Sequence, residues 1–296
     1  MAIDYIIDLP CRPKRDLGEG DHGRGTEHIL DCLKARNRTD LIRDLAARDG
    51  RRPEGLSITL RVQHADGDAV DRSVTYEELV ARGRELEPFE SECASCPANV
   101  RGRPFGCIGA VNYPIPRRAE EWLMDRLLPT STFGGELCRR ALGDLNYTGE
   151  PIRRLREAGF FESPTAVVRI LDDSATGLTV TPADRGEVIG QDVRSDAVVN
   201  SDQILEAFLG VGDSLRPDHC LMVLLWLGGV SLDGALPRSP EEVRALFALT
   251  TPVERAARTA AEVGADSDDG FIHALQTLLR AFHRAWVHDV PLFVSP

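Results

Sequence analysis

Apolar and polar residues alternate most cleanly between positions 56 and 74. Leu56-Ser57-Ile58-Thr59-Leu60-Arg61-Val62 switches face residue by residue, Ala65-Asp66-Gly67-Asp68 supplies turn chemistry, and Ala69-Val70-Asp71-Arg72-Ser73-Val74 returns. That pattern predicts a β-hairpin. Thr75-Tyr76-Glu77-Glu78 has capping-box form, so a helix is expected to open there and run through Leu79, Val80 and Leu86 until Pro88 stops it. Upstream, residues 2–8 read as a short strand ended by Pro10, with Cys11 at its C-terminal end. The charged, glycine-rich segment 12–25 reads as a mobile loop, its glycines too scattered for a phosphate-binding fingerprint. Ile29, Leu30 and Leu33, then Leu41, Ile42, Leu45 and Ala46, keep helical spacing on either side of 37–39, which predicts two short helices with a break between them.

Residues 108–115 form the next predicted strand. Pro116 with Ala119, Trp122, Leu123 and Leu127 begins a helix, and 133–145 and 151–160 read as two more. Between 163 and 200 the periodicity weakens to one poor hairpin (166–171 with 178–180) in polar surroundings, which marks the best boundary. The final third is mainly helical. Ile204, Leu205, Phe208 and Leu209 share a face, 217–228 is apolar almost all round as in a buried helix, and Phe271, Leu275, Leu278, Leu279, Phe282 and Trp286 line one side of another. Ser239-Pro240-Glu241-Glu242 and Thr251-Pro252-Val253-Glu254 each combine a capping residue, a proline at the first helical position and acids behind it. Residues 291–294 are expected to close as an edge strand. The predicted class is α+β: an N-terminal domain (1–162) with a small sheet and helices around a Cys-ligated loop, an irregular connecting segment (163–200), and a mainly helical domain (201–296) packed on the first.

Composition narrows the function. A formal net charge of -12 argues against a general nucleic-acid surface, which needs a basic footprint. No apolar run reaches the roughly eighteen residues of a membrane span. The N-terminal residues lack the basic and apolar stretches of a secretory signal, so a cytoplasmic protein is expected. Charge is uneven, however: residues 100–156 carry ten arginines against six acids, a candidate surface for an acidic substrate or redox partner.

The sharpest chemical signal is Cys93-Ala94-Ser95-Cys96-Pro97-Ala98-Asn99, followed by Gly106-Cys107-Ile108-Gly109. Seven cysteines in a reducing compartment do not suit a disulfide framework, and clustered ones point to metal ligands or reactive thiols. Cys93, Cys96 and Cys107 are the expected ligands, with Cys11 as fourth. Thiol–disulfide exchange fits poorly, because Pro97 and the Gly-Pro-rich continuation do not open the helix that would activate the first thiol. Structural zinc usually takes two tight Cys-x-x-Cys knuckles, and only one is present. Dispersed ligands and a proline directly after one of them suit an iron–sulfur cube, so a 4Fe-4S cluster is favoured and zinc is the alternative. Asn99, Arg101 and Arg103, beside the sulfurs in sequence, are candidates to tune the cofactor or hold an anionic group. The expected function is an iron–sulfur enzyme, an oxidoreductase or lyase, or an electron-transfer component acting on a small molecule. The alternative is a non-enzymatic interaction module stapled by a structural zinc held on four cysteines. Cys32 and Cys138 are assigned to packing, Asp218 to a helix-dipole role, and His273, His283 and His288 share a helix without sharing a ligand face. No Gly-x-Ser-x-Gly, His-Glu-x-x-His, Walker or dinucleotide motif occurs.

Overall fold

The computed structural model describes residues 2–63, 69–112, 115–128, 132–144, 168–170, 176–178, 190–194, 197–209, 214–228, 230–232, 245, 248, 251–252, 254–255, 259–261 and 269–295. The fold is α+β, with small antiparallel sheets, helices, and a helical C-terminal region. Contacts within the chain gather it into two units. One comprises Met1–Leu9, Ala94–Phe161 and Ala183–Pro296; the other comprises Pro10–Cys93 and Glu162–Pro182.

The first unit is built on a four-stranded sheet. Strand Ala2–Ile7 lies between Ile108–Asn112 and Leu292–Ser295, and the two-residue strand Ser214–Leu215 pairs on the far side of the latter. Residues 292–295 are therefore an inner strand, not an edge. Ala2–Ile7 pairs with all four residues and Ser214–Leu215 with Leu292 and Phe293, and the alternation Leu292 and Val294 buried, Phe293 half-buried follows from the pleat. The strand predicted over 108–115 ends at Asn112.

Against this sheet lies the helix Gly270–His288, which also packs on Pro217–Trp226. Its ends are sequence-coded. The Asp269 carboxylate accepts from the N–H groups of Phe271 and Ile272, and Asp289 takes the left-handed conformation (φ 56) that closes the C-terminus. Leu275, Leu278, Leu279, Phe282 and Trp286 are buried as their spacing predicts. Each is worth roughly 1.5–3 kcal/mol of burial, and Phe282 meets Phe208 edge-on at 5.8 Å. The helix Pro217–Trp226 buries Cys220, Leu221, Val223, Leu224, Leu225 and Trp226, the all-round burial its composition predicts. Thr251 and Glu254 form the predicted reciprocal cap: the Thr251 N–H donates to Glu254 Oε2 (3.0 Å) and the Glu254 N–H to Thr251 Oγ1 (3.2 Å). That turn presents Arg255, whose buried guanidinium donates to the Trp286 carbonyl at 2.7 Å and so satisfies a helix-terminal acceptor. The predicted helix starts at 151 and 239 lie outside the described residues.

The second unit holds the hairpin, Ser57–Gln63 against Ala69–Thr75, extended by Val168–Ile170 and Thr176–Leu178. The Thr75 capping box is present in both directions and starts Tyr76–Arg84. Two expectations change here. Segment 12–25 is no loop: Arg12–Leu17 is helical, and a 27-residue helix begins at His22 under an Asp21 cap. Two of its glycines serve close packing, since a methyl on Gly18 would overlap the Asp21 carbonyl and one on Gly25 the Lys14 carbonyl, while Gly20 supplies a left-handed turn (φ 96). The two short helices are one, His22–Arg48. The supposed break survives inside it because the Thr39 hydroxyl donates to the Ala35 carbonyl at 2.9 Å instead of competing for the chain's own amides.

Candidate functional site

In the first unit the cysteine-rich loop is folded by one side chain. Asn99 Nδ2 donates to the carbonyls of Ala94 (3.0 Å) and Arg103 (2.9 Å), while its Oδ1 accepts from the N–H groups of Arg101 (3.1 Å) and Gly102 (3.0 Å). Both amide hydrogens and the carbonyl are engaged with the loop itself. The Asn99 N–H closes a turn on the Cys96 carbonyl (2.9 Å), and the Val100 N–H spans the loop to Gly106 (3.0 Å). A methyl on Gly106 would overlap the Asn99 carbonyl, so glycine is required there. Gly102 (φ 64) and Phe105 (φ 57) take left-handed backbone. Phe105 tolerates it because its ring is buried, as is Ala98.

Cys96 and Cys107 sit half-buried at the edge of the core in this unit. The Cys107 carbonyl accepts the Ile7 N–H at 3.0 Å, fixing the end of the loop to the central strand. Cys11 and Cys93 belong to the second unit. Cys11 is half-buried at the N-cap of Arg12–Leu17, and Cys93 is buried on the short helix Glu90–Ala94. Among the described residues, which include all seven cysteines, no disulfide is formed.

The surroundings of the loop are cationic. Arg101 is exposed at the surface of the loop; its guanidinium donates a long bond to the Ile108 carbonyl (3.5 Å), and partial desolvation, then the nearby Arg103 charge, holds its pKa below the ordinary arginine value. Burial pushes the Tyr5 phenol well above its usual range, against the pull of Arg101 and Arg280. The His288 ring donates to the Pro97 carbonyl, since proline has no N–H to offer. The Nε2 atom of that ring is buried without a hydrogen-bond partner, so Nδ1 is the donor. Burial, then Arg284, keeps His288 below the ordinary histidine value, and the same causes push His283 down to about 4. Along the arginine-rich flank, Arg117 pairs with Glu121, as on an ordinary solvated face, while Arg126 lies 4.3 Å over the Trp122 ring.

A different group appears in the second unit. His28 and Cys32, one turn apart on His22–Arg48, meet Glu85, which caps the C-terminus of Tyr76–Arg84. Their donor atoms all lie within 4.8 Å of one another. Among the described residues it is the one trio of His, Cys or acidic side chains brought together in this way. Sequence reading assigns Cys32 to packing, and it is indeed fully buried. The four-residue step from His28 to Cys32 is visible in the sequence, but the carboxylate that completes the group comes from an element 53 positions further on. Cys138 and Cys220 are buried with thiols pushed upward, as packing residues should be.

No protein-family model, curated protein or solved structure matches this chain.

Proposed function

We propose that this chain is a cysteine-ligated metalloprotein of the cytoplasm, carrying an iron–sulfur cluster in preference to zinc, and that it acts on a small molecule as an enzyme or electron carrier. Cys93, Cys96 and Cys107 are the proposed ligands and Cys11 the fourth. The observation that carries the reading is the Cys93-x-x-Cys96 pair followed by Cys107, with Cys96 and Cys107 half-buried on a loop folded by Asn99. Two physical points support it. Thiolates converging on iron carry net negative charge, and the surface guanidinium groups of Arg101 and Arg103 would offset it. A loop shaped by hydrogen bonds also costs little to organise on binding, so metal–thiolate energy goes into affinity.

Purification without oxygen tests the proposal. A brown protein with broad visible absorption and matching iron and sulfide is expected, with the colour lost in Cys96→Ser and Cys107→Ser. A colourless protein holding zinc at these thiols would favour the stapled interaction module, and absence of metal from all of them would end both readings. Cys11→Ala decides the fourth ligand: a retained cluster with altered reactivity makes that residue dispensable, whereas loss of the cluster makes it structural.

A further inference from the structure

We propose that His28, Cys32 and Glu85 form a second, independent metal site, one that takes a divalent ion of the zinc class and leaves a coordination position open to solvent. The donor set is the first argument. An imidazole nitrogen, a thiol sulfur and a carboxylate oxygen are the three ligand types that zinc shares among its catalytic sites, where a fourth position holds water.

Geometry is the second. His28 Nε2 lies 2.6 Å from Glu85 Oε2, a hydrogen-bonded distance in which a proton occupies the place of the ion. Zinc bonds of about 2.0–2.3 Å at the tetrahedral angle set donor-to-donor distances of about 3.4–3.6 Å. His28 and Glu85 therefore need to open by about an ångström, and Cys32, already within 4.8 Å of both, to close by a similar amount or less. Side-chain rotation covers movements of that size, because Cys32 and His28 are anchored on the same helix face.

The surroundings are built to hold that arrangement. Arg82 binds the other carboxylate oxygen of Glu85 at 3.3 Å, orienting the group while leaving Oε2 toward His28. One turn below Cys32, Arg36 Nε donates to the Gly83 carbonyl at 2.8 Å, and its other arm pairs with Glu90 at 2.6 Å. Gly83 is what allows this approach: a methyl there would come within 2.8 Å of the Arg36 side chain. Gly83 is thus pinned two residues before Glu85. Access is graded: Cys32 is fully buried, whereas the His28 and Glu85 side chains are 27% and 40% exposed, so an ion enters from the water side and keeps a water there.

The metal-free state is a protonated one. Burial, then Glu85, pushes the Cys32 thiol up to about 11. Burial also works to raise the Glu85 carboxyl, but the hydrogen bond from His28 and the Arg82 charge outweigh it, so Glu85 stays ionised. A divalent ion takes the site by displacing the thiol proton, while the His28–Glu85 hydrogen bond opens and the imidazole proton is carried on Nδ1, and apparent affinity rises with pH as the thiol ionises. With a water in the fourth position, such an ion supplies a Lewis acid and a hydroxide source near neutral pH.

The experiment titrates Co²⁺, then Zn²⁺, into the full-length, chelator-treated chain without oxygen, in the native sequence and in a Cys96→Ser background. Expected in the Cys96→Ser background, where the first centre is disabled, is a single equivalent of Co²⁺ with tetrahedral visible bands and one thiolate-to-cobalt charge-transfer band, displaced by Zn²⁺. Cys32→Ser should abolish the charge-transfer band. Glu85→Ala and His28→Ala, whose side chains reach solvent and leave the core untouched, should each weaken binding by at least about tenfold. Unchanged affinity in both of these, or a band that vanishes in Cys96→Ser and survives in Cys32→Ser, overturns the assignment. Iron and sulfide analysis separates the two sites: a chain without iron that still binds Co²⁺ through Cys32 sinks the cluster and leaves this site standing.

Discussion

Replacing Asn99 with alanine removes the side chain around which the cysteine-rich loop closes. Four hydrogen bonds disappear, two donated to the Ala94 and Arg103 carbonyls and two accepted from Arg101 and Gly102. A typical bond contributes about 0.5–1.5 kcal/mol net. These lie near the surface, where the freed backbone groups recover water, so the lower half of the range applies and the expected loss is about 2–4 kcal/mol. All three tryptophans, Trp122, Trp226 and Trp286, belong to the same unit as the loop, so their fluorescence in a urea titration reads the right structure. With a urea slope of about 2–3 kcal/mol/M, the midpoint should fall by about 1 M. Asn99→Asp is the sharper control. It keeps an acceptor for Arg101 and Gly102 but turns an anionic oxygen toward two carbonyls, so at neutral pH it should destabilise at least as much as alanine. For the metal centre proposed above, both variants should also lower retention at Cys96 and Cys107. If Asn99→Ala unfolds within about 0.5 kcal/mol of the parent, the loop is held by something else and the reasoning fails.

Further outcomes follow from buried groups. Trp226 Nε1 is buried with no hydrogen-bond partner, so Trp226→Phe removes an unsatisfied donor worth about 1–3 kcal/mol and should come within about 1 kcal/mol of neutral. Trp226→Ala should cost about 3–5 kcal/mol, and denaturation of both variants, followed by far-ultraviolet dichroism, compares the two. His283 has its pKa depressed to about 4, from an ordinary value near 6.5, by burial first and then by the charges of Arg284 and His288. Above pH 6.5 the ring is neutral in both states. Between 6.5 and 4 the unfolded chain gains a proton that the folded one refuses, so stability falls as pH drops. In His283→Phe the fall between pH 7 and pH 5 should be smaller than in the parent, and equal slopes would refute this. Thr75→Ala breaks the reciprocal cap with Glu78 and should cost about 1 kcal/mol, read from the second unit by amide exchange on Tyr76–Arg84.

What the sequence makes legible is mostly local. The hairpin at 57–75, its capping box, the buried helix at 217–226 and the one-sided helix at 270–288 each declare themselves in a window of ten to twenty residues, because period and cap are short-range properties. The errors arise where a residue type has two uses. Gly18 and Gly25 look like loop formers but let the chain on either side of the turn touch, and Thr39 looks like a breaker but bonds back to Ala35. Spacing of the cysteines is visible at once. The role of Asn99 is not, because it emerges only when residues 94 and 103 are folded onto it. Likewise His28 and Cys32 announce a shared helix face, whereas Glu85 reaches them through the packing of Tyr76–Arg84 on His22–Arg48.

The central sheet sets a timetable for synthesis. Strand Ala2–Ile7 is synthesised almost three hundred residues before one of its two neighbours, Leu292–Ser295. Until then its buried Tyr5, Ile6 and Ile7 have an open flank, a contact of very long sequence separation that slows closure and invites wrong pairing. A nascent chain halted before residue 292 should therefore recruit chaperones, and exposure of residues 292–295 outside the ribosome should be the event that frees it.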